Sequence, residues 1–106
     1  MEAIYLEIQQ QLVQEYDGVE PGNMMRSPAL RYSGKVFCFY YQSQMCFKLD
    51  AQAAHFMGQY PGSSYLSPFK NKPPMKGWLF VPAEYHEQWK SLAHYALDNL
   101  MNKKKH

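Results

Sequence analysis

Apolar residues recur every fourth position at the start of the chain, at Ile4, Ile8 and Leu12, with Tyr5 and Tyr16 beside them. That spacing predicts an amphipathic helix over residues 2–16, with Gln9, Gln10, Gln11 and Gln14 on its outer side. Asp17-Gly18 supplies a natural stop, because glycine takes the left-handed conformation that ends a helix. Pro21-Gly22-Asn23 extends the break. The period then changes from four to two. Ala29–Ser33, Lys35–Tyr41 and Met45–Leu49 read as three strands joined by short turns, the first of them Ser33-Gly34, so an antiparallel meander is expected.

The first of these strands puts Leu30 and Tyr32 on one face and Arg31 on the other. The third puts Met45, Phe47 and Leu49 opposite Cys46 and Lys48. The middle strand is apolar on both faces, so alternation alone does not set its register. A three-residue loop at Gln42-Ser43-Gln44 aligns Phe37, Phe39 and Tyr41 with Phe47. A two-residue loop substitutes Val36, Cys38 and Tyr40. The first is preferred because it buries the larger rings. Either way some of Phe37, Phe39, Tyr40 and Tyr41 face away from the helices, to be covered by a loop or by a partner.

Asp50 reads as the N-cap of a short helix reaching about Met57. Residues 58–64 are turn-rich, Tyr65-Leu66 is a short strand, and Lys70 to Lys76 is a basic loop containing prolines. A strand follows over Gly77–Val81. Pro82 opens the last helix, where Tyr85, Trp89, Leu92, Ala93, Ala96, Leu97 and Leu100 fall at helical spacing. The predicted fold class is α+β, in two layers. An antiparallel sheet of four or five strands carries its helices mainly on one face, in the order α-β(3)-α-β(2)-α. Trp78 and Trp89 are its expected anchors.

Composition narrows the class. At 106 residues with a hydrophobic fraction of 46%, the chain fits one globular domain spanning 1–106. No apolar run approaches the roughly 20 residues that span a bilayer. The opening Met1-Glu2-Ala3-Ile4 carries an acid where a secretory leader carries bases. A cytoplasmic location and no membrane partner are therefore expected. Cys38 and Cys46 are too few for a disulfide framework or a zinc cluster, and read as buried, inert thiols sharing the outer face. Charge is uneven: residues 1–20 hold five acids and no base, whereas residues 21–81 hold seven bases against Asp50 alone.

Two stretches carry a resemblance. Ser27-Pro28-Ala29-Leu30-Arg31-Tyr32-Ser33-Gly34-Lys35-Val36-Phe37, then Phe47-Lys48-Leu49, resembles the opening of the MmcQ/YjbR and TfoX N-terminal domain group. Pro74-Met75-Lys76-Gly77-Trp78-Leu79-Phe80-Val81-Pro82, then Trp89, Leu92 and Ala96, is similar to that group's close. The resemblance implies a secretion-chaperone-like fold of the same element order and no established enzyme activity. It also implies a regulatory or DNA-binding role, since TfoX-type domains belong to regulators of DNA-uptake competence. The chain departs at Met25-Arg26, where such domains usually carry Phe-Gly, and is expected to lack a second domain after Leu100.

Candidate chemistry is sparse. His86 and His94 are eight apart on the last helix, not at the four-residue spacing of a zinc-binding pair, and read as solvated. Cys38 lacks a readable oxyanion element or orienting acid. Pro61-Gly62-Ser63-Ser64 is a turn without the Lys of a phosphate cradle. No catalytic residue, cofactor or metal is expected. The candidate binding surface is the basic and aromatic middle of the chain: Arg31, Lys48 and Lys35 on the outer sheet face with Tyr40, and Lys70, Lys72 and Lys76 on the loop. Its expected partner is a protein or a second copy of the chain. The alternative is nucleic acid, held by stacked bases and phosphate contacts.

Overall fold

A computed structural model describes residues 2–67 and 73–104. The elements run α1 (Glu2–Glu15), β1 (Val19–Met24), β2 (Ser27–Tyr32), β3 (Lys35–Tyr41), β4 (Gln44–Lys48), α2 (Ala53–Gln59), β5 (Ser64–Leu66), β6 (Met75–Pro82) and α3 (His86–Lys104). Short 3₁₀ turns at Asp50–Gln52 and Ala83–Tyr85 lead into α2 and α3. One six-stranded sheet holds the strands in the order β1-β2-β3-β4-β6-β5, and every pairing is antiparallel. The α+β class and the one-sided helical layer are those expected. The sheet has six strands rather than four or five, and four of them precede α2.

The additional strand is β1. Its sequence, Val-Glu-Pro-Gly-Asn-Met, contains the Pro21-Gly22-Asn23 stretch that reads as a break. A strand survives there because β1 is the sheet's edge. Proline is tolerated where one side of the backbone needs no ladder partner, and the full β2 register from Val19↔Tyr32 to Met24↔Ser27 holds the segment in place. Gly22 has a packing role: a Cβ there would lie 3.2 Å from Cδ of Arg31, whose stem crosses it.

The register of β3 is the reverse of the preferred one. The β3–β4 turn is the two-residue Gln42-Ser43, and Cys38 faces Phe47, Phe39 faces Cys46 and Tyr40 faces Met45. Cys38 and Cys46 therefore lie on opposite faces of the sheet, not together. Phe37 escapes the outer face by another route. Between β2 and β3 the register slips, so that Leu30 pairs with Cys38 but Arg31 pairs with Val36. Phe37 is the extra residue of a β-bulge, and it joins Cys38 in the helix-side core. One inserted residue thus lets the sheet bury Phe37 in a register that alternation alone would not allow.

Two apolar clusters result. The larger lies under the helices and joins Tyr5, Ile8 and Leu12 of α1 to Phe37, Phe47 and Leu79 of the sheet and to Trp89, Leu92 and Leu97 of α3. Trp89 is fully buried, and its Nε1 donates to the Val81 carbonyl at 3.2 Å. The smaller cluster lies on the other face: Ala29, Phe39, Cys46, Leu66 and Trp78, flanked by Met24, Val36 and Phe80. No described helix contributes to it. Smaller differences from expectation occur at the ends of α2 and α3. Asp50 starts a 3₁₀ turn with φ +52 instead of capping α2, which has no side-chain cap and runs to Gln59. Pro82 closes β6, one 3₁₀ turn before α3.

Candidate binding surface

The sheet face opposite the helices is built by alternate residues of all six strands. Glu20 pairs across with Arg31, Arg31 with Val36, Phe39 with Cys46, Cys46 with Phe80, Lys48 with Trp78, and Phe80 with Ser64. Aromatic rings dominate its middle. Phe39 meets Phe80 edge-on at 5.6 Å and Trp78 at 6.0 Å, and Tyr41 lies 6.3 Å from Phe80. These separations suit the offset and T-shaped contacts that aromatic quadrupoles prefer.

A hollow of about 300 Å³ opens on this face, lined by Met25, Ser27, Phe39, Tyr41, Leu66, Ser67 and Phe80. Its floor is Phe39, which is buried, while Met25 and Tyr41 at the rim are 59% and 46% exposed. Large apolar side chains left open around a concave apolar floor are the ordinary signature of a contact surface.

The expected surface residues do not all arrive there. Arg31 is on the open face, but its Nε lies 3.1 Å from Oε1 of Glu20 on β1, so its charge is matched within the sheet. Lys48 is on this face, opposite Trp78. Lys76 is exposed, and it belongs to the start of β6 rather than to a loop. Lys35 is not on this face: it pairs with Tyr32, whose ring packs on the helix-side core. Tyr40 is also on the helix side, 5.7 Å from the ring of Tyr5 and 6.4 Å from that of Trp89. Lys70 and Lys72 lie outside the described residues. The basic surface is therefore thinner than the sequence implies, and the apolar hollow is the better-formed feature. Met25, Leu66 and Phe80 were not legible as its lining. Met25 sits in the turn after β1, a segment whose Pro21-Gly22-Asn23 reads as a break, and Leu66 and Phe80 reach the hollow only through β5–β6 pairing.

Some titratable groups elsewhere tie elements of the fold together. Tyr16 Oη and Nδ1 of His94 are 2.9 Å apart, Nε2 of His94 is 3.6 Å from Glu15 Oε2, and Lys90 Nζ is 3.3 Å from Glu15 Oε1. His94 is thus a tie between α1 and α3 and not the freely solvated histidine expected. Burial pushes the thiols of Cys38 and Cys46 well above the ordinary cysteine range, keeping both protonated and poorly nucleophilic. Among the described residues no group of three His, Cys, Asp or Glu side chains could hold a metal, and no helix is long and apolar enough to cross a membrane.

Comparison with protein-family models, curated proteins and solved structures finds no match to this chain.

Proposed function

We propose that this chain is a non-catalytic binding domain of the TfoX N-terminal/YjbR type that works as a protein-interaction module through the open face of its sheet. The observation that carries the reading is the hollow. Phe39, Phe80 and Leu66 form an apolar depression with Met25 and Tyr41 standing open at its edge, on a face to which no described helix contributes. Its volume of about 300 Å³ accommodates one large side chain of a partner. Inserting an apolar anchor there removes the rim from water, and burying one such side chain contributes roughly 1.5–3 kcal/mol before the entropic cost of association. Methionine at the rim adapts to more than one partner shape, because its unbranched thioether repacks easily.

A nucleic-acid role draws less support. It needs several cations free for phosphates beside exposed rings. Arg31 is matched by Glu20, and Lys35 and Tyr40 belong to the helix side. The direct test is an amide chemical-shift titration with indole, standing in for a tryptophan side chain. Shifts confined to Met25, Tyr41, Leu66 and Phe80, absent in Tyr41→Ala, are expected. Shifts scattered over the molecule, or none, would remove the reading. A parallel titration with single-stranded oligonucleotide at 50 and 200 mM salt should show no saturable, salt-sensitive binding.

A further inference from the structure

The tips of two hairpins meet at one end of the sheet, and both are built against backbone preference. Met25 and Arg26 have φ of +48 and +71, and Gln42 and Ser43 have +49 and +63. Two-residue turns of this hand favour Asn-Gly, because side chains with a Cβ crowd the following carbonyl in the left-handed region. Met, Arg, Gln and Ser cost stability at these positions. The two tips border one recess of about 460 Å³, with Met25, Arg26, Tyr40, Tyr41 and Gln42 in its walls. Met25, Ser27 and Tyr41 also line the aromatic hollow, so the hollow on the open face and the recess toward α1 adjoin at these residues as a bent trough around the sheet's end. The trough runs from an apolar floor at Phe39 and Phe80 to a cation at Arg26.

Resting on the interaction reading above, we propose that this trough takes an extended peptide segment of a partner protein. The segment places a large apolar side chain in the hollow and a single carboxylate beside Arg26. Charge decides the chemistry. Arg26 is exposed, and among the described residues no ion pair joins it to a carboxylate, in contrast to Arg31 with its Glu20. An Asp or Glu on the ligand therefore meets an unmatched guanidinium, while a Lys or Arg there is repelled. Glu2 stands on the α1 side of the same recess and disfavours a second acid. That arrangement suits one carboxylate and opposes the close-spaced phosphates of a nucleic-acid strand.

The test is selection of random twelve-residue peptides displayed against the immobilised full chain, followed by titration of a labelled winner. Winners should pair a Phe, Trp, Leu or Met with one Asp or Glu within about three residues, the reach of an extended chain along the trough. Changing that acid to its amide should weaken binding three- to tenfold on the native protein and not at all on Arg26→Gln. Replacing Met25-Arg26 by Asn-Gly should abolish the acid preference while raising the melting temperature by about 4 °C or more, since strain is relieved. Winners without an acid, or an Arg26→Gln variant that keeps the preference, would overturn the assignment of the carboxylate and leave the hollow standing. Failure to enrich any apolar peptide, or full binding by Tyr41→Ala, would overturn the interaction reading itself. Displacement of the peptide by single-stranded oligonucleotide with steep salt dependence would replace the peptide with nucleic acid.

Discussion

The helix-covered face and the open face of the sheet are built from the same strands by alternation, yet they are finished differently. Under the helices, side chains from three sources interlock: Tyr5, Ile8 and Leu12 from α1, Phe37, Phe47 and Leu79 from the sheet, Trp89 and Leu97 from α3. On the open face, the apolar cluster is drawn from strands alone, and its rings shield one another. The two tryptophans measure the difference. Trp89 retains no exposed surface and has its N–H bonded, whereas Trp78 retains 9% and sits at the margin of the smaller cluster. A face closed by helices stores stability. One closed by its own rings, with Met25 and Tyr41 left out, keeps apolar surface available to a partner.

The largest test of this contrast is to remove each tryptophan. Trp89→Ala should cost about 3–5 kcal/mol in a denaturant titration, because it leaves a cavity that helix and sheet cannot fill. Trp78→Ala should cost about 1.5–3 kcal/mol, since its cavity opens to solvent at one side. Equal losses would show the two faces to be equally closed.

The thiols provide the next test. Cys38 lies in the helix-side cluster and Cys46 in the open-face cluster, and burial raises the pKa of both. The sign follows from proton counting. Above the ordinary thiol pKa of about 8.5 the unfolded chain releases these protons while the folded chain keeps them. The stabilisation is complete below that pH and is lost as pH rises, at up to about 1.4 kcal/mol per pH unit for each thiol. Cys38→Ala and Cys46→Ala should each remove one thiol's share of the slope in pH-dependent unfolding. In the folded protein a disulfide exchange reagent should label Cys46 before Cys38, because the open face loosens first. The opposite order would show that the helices, not the open face, open more readily.

A smaller effect is expected at Tyr5. Its ring is buried against Tyr40, and its hydroxyl has no hydrogen-bond partner among the described residues. Removing an unbonded buried hydroxyl deletes a desolvation cost, so Tyr5→Phe should be neutral or stabilising by about 1 kcal/mol. A loss above about 1 kcal/mol would reveal a partner for that oxygen. Smallest is the Glu20–Arg31 pair, whose side chains are 54% and 44% exposed. A double-mutant cycle with Glu20→Gln and Arg31→Met should give a coupling of about 0.2–1 kcal/mol that fades at high salt.

Local periodicity made α1 and α3 legible, because three- and four-residue apolar spacing over several turns has one good solution. The Lys35–Tyr41 strand was equally plain from its β-branched and aromatic run. Its register was not. With apolar residues on both faces, a one-residue shift moves rings from one face to the other at little cost in the local pattern. The bulge at Phe37 and the two-residue Gln42-Ser43 turn settle the matter. Tyr40 and Lys35 were misplaced for that reason. Of the hollow, Phe39 and Tyr41 were visible as surplus aromatics, while Met25, Leu66 and Phe80 were not visible as neighbours of one another.

The sequence by itself determined which segments are helical, that the sheet is antiparallel, and that one strand carries more rings than a single helical layer can bury. All of these depend on spacing within ten or so residues. Only the tertiary structure decided that Val19–Met24 pairs as an edge strand despite Pro21, that Glu20 matches Arg31, and which rings face away from the helices. Those outcomes depend on partners that fold geometry brings across the sheet, and the pairing free energy between strands is not encoded in either strand alone.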